Sequence, residues 1–309
     1  ILVVFLFFYI LAFMIANNKN YLIFAFIFCA FIYLFFPIIV GNYNFFNEDN
    51  SDVFYPCKET IRLALKNGEF PLWTKLRFGG HSFIEEPQAQ LFYPFTWIFI
   101  KFPTHLEIDY STILHILFGF LFMYRLLKKL YLPKESAAFG AALFIFSGFF
   151  AQAYKDANYG TISTSIWLPL VITELLLFFR TKNKKYFITA ILSNVLMFFA
   201  GHLNFFYIAQ FAIALFILSY NLKLNIKFIL RRILIFSIFY ICFAICVSPL
   251  LLAGFNMARN SARVNRGAIN YTTNLSVSPD QLLMFFLENP FGYDDKTFFG
   301  PNTIMWQKY

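Results

Sequence analysis

The sequence predicts an all-α polytopic membrane protein with about eight transmembrane helices. Three observations lead there. Hydrophobic residues make up 60% of the 309 positions and charged residues only 13%, against about 25% charged in soluble chains. Eight apolar runs meet or approach the roughly 17–25 residues that cross a bilayer. The short connections between those runs collect the basic residues.

The runs cover about 1–16, 21–41, 108–127, 136–152, 161–179, 186–201, 203–221 and 233–254. Runs 1–16 and 136–152 are short, and the others are of spanning length. Four connections carry Lys19, then Arg125, Lys128, Lys129 and Lys134, then Arg180, Lys182, Lys184 and Lys185, then Lys223, Lys227, Arg231 and Arg232. All fall on one side if every run crosses, and the positive-inside tendency makes that side the cytoplasm. Two long segments, 42–107 and 255–309, then lie outside the cytoplasm. The start on Ile1 and the stop within a polar stretch are expected of a piece of a longer protein.

Composition also narrows function. The 47 phenylalanines accompany abundant Ile, Asn and Lys, a bias that an AT-rich genome produces by itself, so they are not read as a nucleic-acid surface. Cys29, Cys242 and Cys246 fall in apolar runs and only Cys57 in a loop, which gives neither a disulfide framework nor a CxxC metal site. No nucleotide-binding glycine loop or Rossmann pattern occurs in a cytoplasmic connection.

Within 42–107, the stretch "DVFYPCKETIRLALKN" spaces Val53, Cys57, Ile61 and Leu65 four apart, with Lys58, Glu59, Arg62 and Lys66 on other faces. This predicts an amphipathic helix capped by Ser51 or Asp52, with Pro56 in its first turn and Gly68 past its end. Its apolar stripe is expected to lie on the membrane surface. "LFYPFTWIFIKFP", 91–103, is too short to span and contains Pro94, so it is expected to be interfacial or re-entrant.

Glu48, Asp49 and Asp52 follow directly on run 21–41, which places carboxylates at the lip of a span. A base there can meet a lipid-borne substrate. Hard oxygen ligands also suit a divalent cation such as Mg or Mn, held by Glu48, Asp49 and Asp52. Asp52 has the alternative role of helix cap.

"GEFPLW" (68–73), "GG" (79–80) and "EPQAQLFYP" (86–94) together resemble the first extracytoplasmic loop of the bacterial YfhO-like membrane proteins, a branch of the GT-C glycosyltransferase superfamily. "FIFSGFF" (144–150), "IWLPL" (166–170), "AGHLNFFY" (200–207), "NSAR" (260–263) and "ENPFG" (288–292) follow in the family's order. The resemblance implies a GT-C fold with a helical first outer loop and a polyprenyl-phosphate sugar donor. It also implies a loop-initial acidic residue acting at the outer face, which Asp49 matches by standing just before "FYP" (54–56). The expected activity is inverting transfer of the sugar to a cell-envelope polymer or glycan acceptor. A transporter or flippase of lipid-linked precursors, and a catalytically silent assembly protein, are the alternatives.

His81, Gln88, Asp156 and His202 are further outer polar groups and candidates for substrate contact. Arg259, Arg263 and Arg266 cluster just beyond the last run, and Arg forks match phosphate oxygens, so they are candidates for holding the lipid phosphate or anionic headgroups. Glu174 lies within a run, where an ionisable group is costly; its position six residues before Arg180 favours snorkelling to the inner interface or a hydrogen bond to a neighbouring helix over a proton path.

Overall fold

The computed structural model describes residues 21–41, 43–45, 50–75, 79–222 and 225–260. Run 1–16 and most of segment 255–309 lie outside them. The chain divides into two compact units, Ile1–Gly254 and Phe255–Tyr309.

The described residues are all-α apart from one two-stranded hairpin. Helix α1 is Tyr21–Ile39. The loop contributes a π-helical turn, Asn50–Phe54, helix α2, Tyr55–Lys66, strands β1, Trp73–Thr74, and β2, His81–Ser82, a 3-10 turn, Pro87–Ala89, and helix α3, Pro94–Phe99. The bundle continues with α4, Thr104–Lys129, α5, Lys134–Ile145, α6, Gly148–Lys155, α7, Tyr159–Ser165, α8, Leu168–Thr181, α9, Lys184–Phe199, α10, Leu203–Ser219, and α11, Ile226–Asn260.

Three stretches are long and apolar enough to cross a membrane: Thr104–Lys129, Tyr159–Thr181 and Ile226–Arg259. A fourth is the pair Lys134–Ile145 and Gly148–Tyr154, bent by 45°. Phe24–Ile39 and Leu203–Ser219 are shorter apolar helices. Ile226–Arg259 is the most apolar of them, yet only 17% of its window is covered by protein. A helix that greasy and that bare needs a lipid solvent, because a water-soluble surface rarely exposes a large contiguous apolar patch. Phe26, Tyr33, Phe211, Ile245 and Leu252 extend the same exposed surface over α1, α10 and α11. The described chain is therefore a helical membrane protein.

The expected run 136–152 is two helices rather than one. Ser147 turns to an extended conformation and Gly148 follows, a pair that interrupts helices readily. Tyr154 donates its hydroxyl proton to the Ile145 carbonyl at 2.7 Å, covering a backbone group that the break frees. In the run 161–179, α7 and α8 meet at Ile166 and Trp167, with Pro169 in the first turn of α8.

Close approach in the bundle rests on small residues, as usual in membranes. A Cβ added at Gly119 of α4 would lie 2.9 Å from Ile166 Cγ2, and one at Gly140 of α5 would lie 2.7 Å from Leu127 Cδ1. Glu174 takes a role in packing: Arg125 of α4 pairs with it at 2.5 Å, and the Thr189 hydroxyl of α9 donates to it at 2.7 Å. Three helices are thus tied by one carboxylate.

Replacing Gly119 with Leu should push α4 away from α7 and cost about 1–3 kcal/mol, the usual range for overpacking. A lowered thermal midpoint of the detergent-solubilised protein is the readout, and an unchanged midpoint would contradict the close packing at Ile166.

Candidate functional site

Helix α2 forms where the four-residue spacing places it, with Pro56 in its first turn and Gly68 beyond its end at φ +74°. Its stripe, however, packs on protein rather than on the membrane surface. Cys57 and Ile61 are buried with Phe83, Ala89 and Leu91, residues of the same loop. Neither Ser51 nor Asp52 caps the helix: the N-cap position is Phe54, without a side-chain hydrogen bond. Asp52 is exposed and accepts a hydrogen bond from Ser51 Oγ at 3.0 Å. The π-helical turn brings the chain into α2 without needing a polar cap.

Lys58 departs furthest from expectation. It belongs to a supposedly polar face and is 1% exposed. Its ammonium donates to Thr96 Oγ1 and lies 3.6 Å from Glu107 Oε1, a carboxylate also 1% exposed. The ion pair is thus longer than a hydrogen bond, and neither Glu107 oxygen has a hydrogen-bond partner among the described residues. Burial holds the Lys58 ammonium below the usual lysine range, against the attraction of Glu107. Beside it, Glu59 accepts from Arg62 Nε at 3.0 Å and from the Thr104 hydroxyl. The Arg62 guanidinium, together with Thr104, holds the Glu59 carboxyl below its ordinary value of 4.5.

A cavity of about 270 Å³ opens next to this pair. Asn44, Phe45, Asn50, Tyr55, His105 and Asp109 line it. Asp109, 1% exposed, accepts from Asn44 Nδ2 at 2.6 Å and from the Phe45 backbone N–H at 2.9 Å. Asn50 donates to the Phe45 carbonyl at 2.7 Å, and its own buried Oδ1 has no partner among the described residues. Phe45 and Asn50 bracket 46–49 in the sequence, so the chain enters and leaves that segment at the cavity wall.

Below it runs a neutral polar chain. His115 Nδ1 faces the Ser111 carbonyl at 2.5 Å, which places the ring proton there and leaves Nε2 to accept from Tyr93 Oη at 2.5 Å. Trp167 Nε1 donates to Tyr93 Oη at 3.0 Å, and Ser111 Oγ lies 2.8 Å from Tyr159 Oη. Burial pushes the Tyr93 phenol well above its usual range, so it stays protonated as a donor.

The other candidates are dispersed. His81 Nε2 lies 3.9 Å from Glu86 Oε2, while the Gln88 backbone N–H donates to Glu86 Oε1 at 3.3 Å. These two meet around Glu86. His202 stands at the N-cap of α10, donates its backbone N–H to Thr164 Oγ1 at 3.2 Å and packs on Phe205. Asp156 accepts from Gln152 Nε2 at 2.8 and 2.9 Å, a bond within one helix end. Arg259 lies over the Phe255 ring in the second unit. Glu48, Asp49, Arg263 and Arg266 lie outside the described residues. Of the three carboxylates suited to a divalent cation, only Asp52 is described, and the described residues hold no cluster of three metal-type side chains.

The loop motifs owe their positions to docking. Gln90, at φ +55°, donates from Nε2 to the Ala200 carbonyl at 2.6 Å and to Ser163 Oγ at 3.2 Å. Gly201, at φ +90°, lets the Pro87 carbonyl approach to 2.4 Å from where a Cβ would stand. So "EPQAQ" and "AGH" are two faces of one contact.

Together the fold and site define a helical membrane protein with a small, partly open cavity between the loop and the start of α4, its largely apolar wall carrying Asn44, Asn50, His105 and Asp109. Comparison with models of protein families, with curated proteins and with solved structures finds no match.

Lys58→Met should destabilise the protein by about 3–5 kcal/mol, because Glu107 would be left buried and charged. The double variant Lys58→Met/Glu107→Gln should recover most of that loss in thermal unfolding, and equal damage in both would show that the ion pair is not the cause. The depressed Glu59 carboxyl contributes stability above pH 4.5 that is lost as pH falls through its lower folded value. Glu59→Gln should therefore flatten the acid limb of a melting-temperature profile.

Proposed function

We propose that the chain is part of a membrane-embedded, inverting glycosyltransferase of the GT-C type, with about eight spans, acting at the extracytoplasmic face of a bacterial plasma membrane. The observation that supports this reading is the cavity bracketed by Phe45 and Asn50, the residues flanking 46–49, whose largely apolar wall carries Asn44, Asn50, His105 and Asp109 as its polar groups. Asp49 stands immediately before Asn50 in the chain. In this scheme the acceptor hydroxyl gives its proton to Asp49, and its oxygen attacks the anomeric carbon of a polyprenyl-phosphate sugar. The carbon–oxygen bond to phosphate breaks, the bond to the acceptor forms, and the polyprenyl phosphate leaves as an anion. The leaving phosphate calls for cations, for which Arg259, Arg263 and Arg266 are the candidates read from the sequence.

Glu174, tied to Arg125 and Thr189, supports packing over proton passage.

The test is reconstitution of the complete protein with labelled polyprenyl-phosphate sugars and envelope acceptors. Wild type should transfer label, and Asp49→Asn should lower the rate by about 10²–10⁴-fold, the usual range for loss of a general base. Full-rate transfer by Asp49→Asn removes the base assignment; movement of the lipid-linked sugar across the bilayer without transfer replaces the enzyme reading with the flippase one.

A further inference from the structure

The ends of the spans remote from Thr104 carry a second cluster, unrelated to the cavity. Arg232 of α11 is 7% exposed. Its guanidinium lies over the Phe179 ring at 3.9 Å and over Phe228 at 4.8 Å, and Nη2 donates to the Tyr220 carbonyl at 2.7 Å. Nη1 is buried with no hydrogen-bond partner among the described residues. Phe179 in turn stacks on Tyr220 at 5.4 Å, so the ends of α8 and α10 and the start of α11 clamp this one cation.

Two more cations stand over it. Lys182, the left-handed residue that ends α8, donates to the Phe179 carbonyl at 2.7 Å and lies 5.9 Å from the same ring that Arg232 covers. Arg231 is exposed beside it. Burial, with Arg231 and Arg232 nearby, holds the Lys182 ammonium below the usual lysine range, a sign of uncompensated positive charge. No carboxylate among the described residues pairs with any of the three; Glu174, the acidic group of α8, is taken by Arg125. The neighbouring Arg180 is used too, donating to the Lys129 carbonyl and stacking over Tyr131.

A guanidinium this deeply covered is costly without a counter-charge. The counter-charge available at the end of a span is the headgroup layer of the bilayer. We infer that Lys182, Arg231 and Arg232 form a binding site for the phosphate of an anionic phospholipid. Lys182 and Arg231 touch the phosphate, and Arg232, fixed beneath by Phe179 and Tyr220, supplies the inner charge. The clamp joins α8, α10 and α11, so an occupied site should hold those three helices together.

The test uses the full chain in detergent, with phosphatidylglycerol, phosphatidylcholine or inorganic phosphate added. Phosphatidylglycerol should raise the thermal midpoint and remain bound in native mass spectrometry, and phosphatidylcholine should do neither. Lys182→Gln and Arg231→Gln, both at exposed positions, should each weaken the response about fivefold, as expected of about 1 kcal/mol per cation. Lys184→Gln and Lys185→Gln, in the adjoining turn, should leave it unchanged. Equal effects of the two lipids, equal losses in the control variants, or no loss in Lys182→Gln and Arg231→Gln would each overturn the site. Saturation by inorganic phosphate at millimolar concentration would overturn its assignment to lipid.

Discussion

The buried pair of Lys58 and Glu107 is the constraint on which the loop side depends. It joins helix α2, which belongs to the loop, to helix α4, which belongs to the bundle. Both side chains are almost completely shielded, so each is tolerable only while the other is in place. Thr96 holds the ammonium from α3, and Glu59 links Arg62 to Thr104 at the start of α4. The loop is thereby fixed as a folded layer. Its apolar residues Cys57, Ile61, Phe83 and Leu91 then have a surface to pack on.

That fixed layer makes the cavity. Asp109 stands two residues beyond Glu107 and reaches back to Asn44 and the Phe45 backbone, so the same helix end anchors both α2 and the exit from α1. Between those anchors the chain has only residues 46–49 to travel. The polar groups deeper in the bundle are uncharged donors and acceptors matched in sequence: Trp167 to Tyr93, Tyr93 to His115, His115 to the Ser111 carbonyl. Fully satisfied chains of this kind fix one packing arrangement, because any slip leaves a polar group bare in a low-dielectric interior. The opposite ends of the spans behave differently. There the unmatched charges are cations held on aromatic faces, which suits contact with anionic headgroups rather than enclosure.

Much of the architecture was legible because a bilayer leaves few options. An apolar run in a bilayer must be helical, so α4, α9, α10 and α11 fall where the hydropathy puts them, although of these only α4 and α11 are long and apolar enough to cross. The run 136–152 was legible only as short; its break at Ser147 and Gly148 was not, and there Tyr154 covers the Ile145 carbonyl, nine residues away. Glu174 was read as snorkelling or bonding to a neighbouring helix, and it does bond to two, through Arg125 of α4 and Thr189 of α9, partners that the sequence did not name. The α2 stripe was legible as a stripe; what covers it was not, since lipid and the loop's own Phe83 and Leu91 are equally apolar.

The sequence by itself determined the class of the protein, the places of its helices and the crowding of polar residues into the loop between α1 and α4. These follow from local composition, which decides whether a segment can leave water. Only the tertiary structure decided which polar residues act together. Lys58 reads as a solvated lysine and Glu107 and Asp109 as ordinary residues at a helix start, until distant segments close over them. Charge is harmless in water and decisive when buried, and burial is a property of the folded assembly rather than of any stretch of chain.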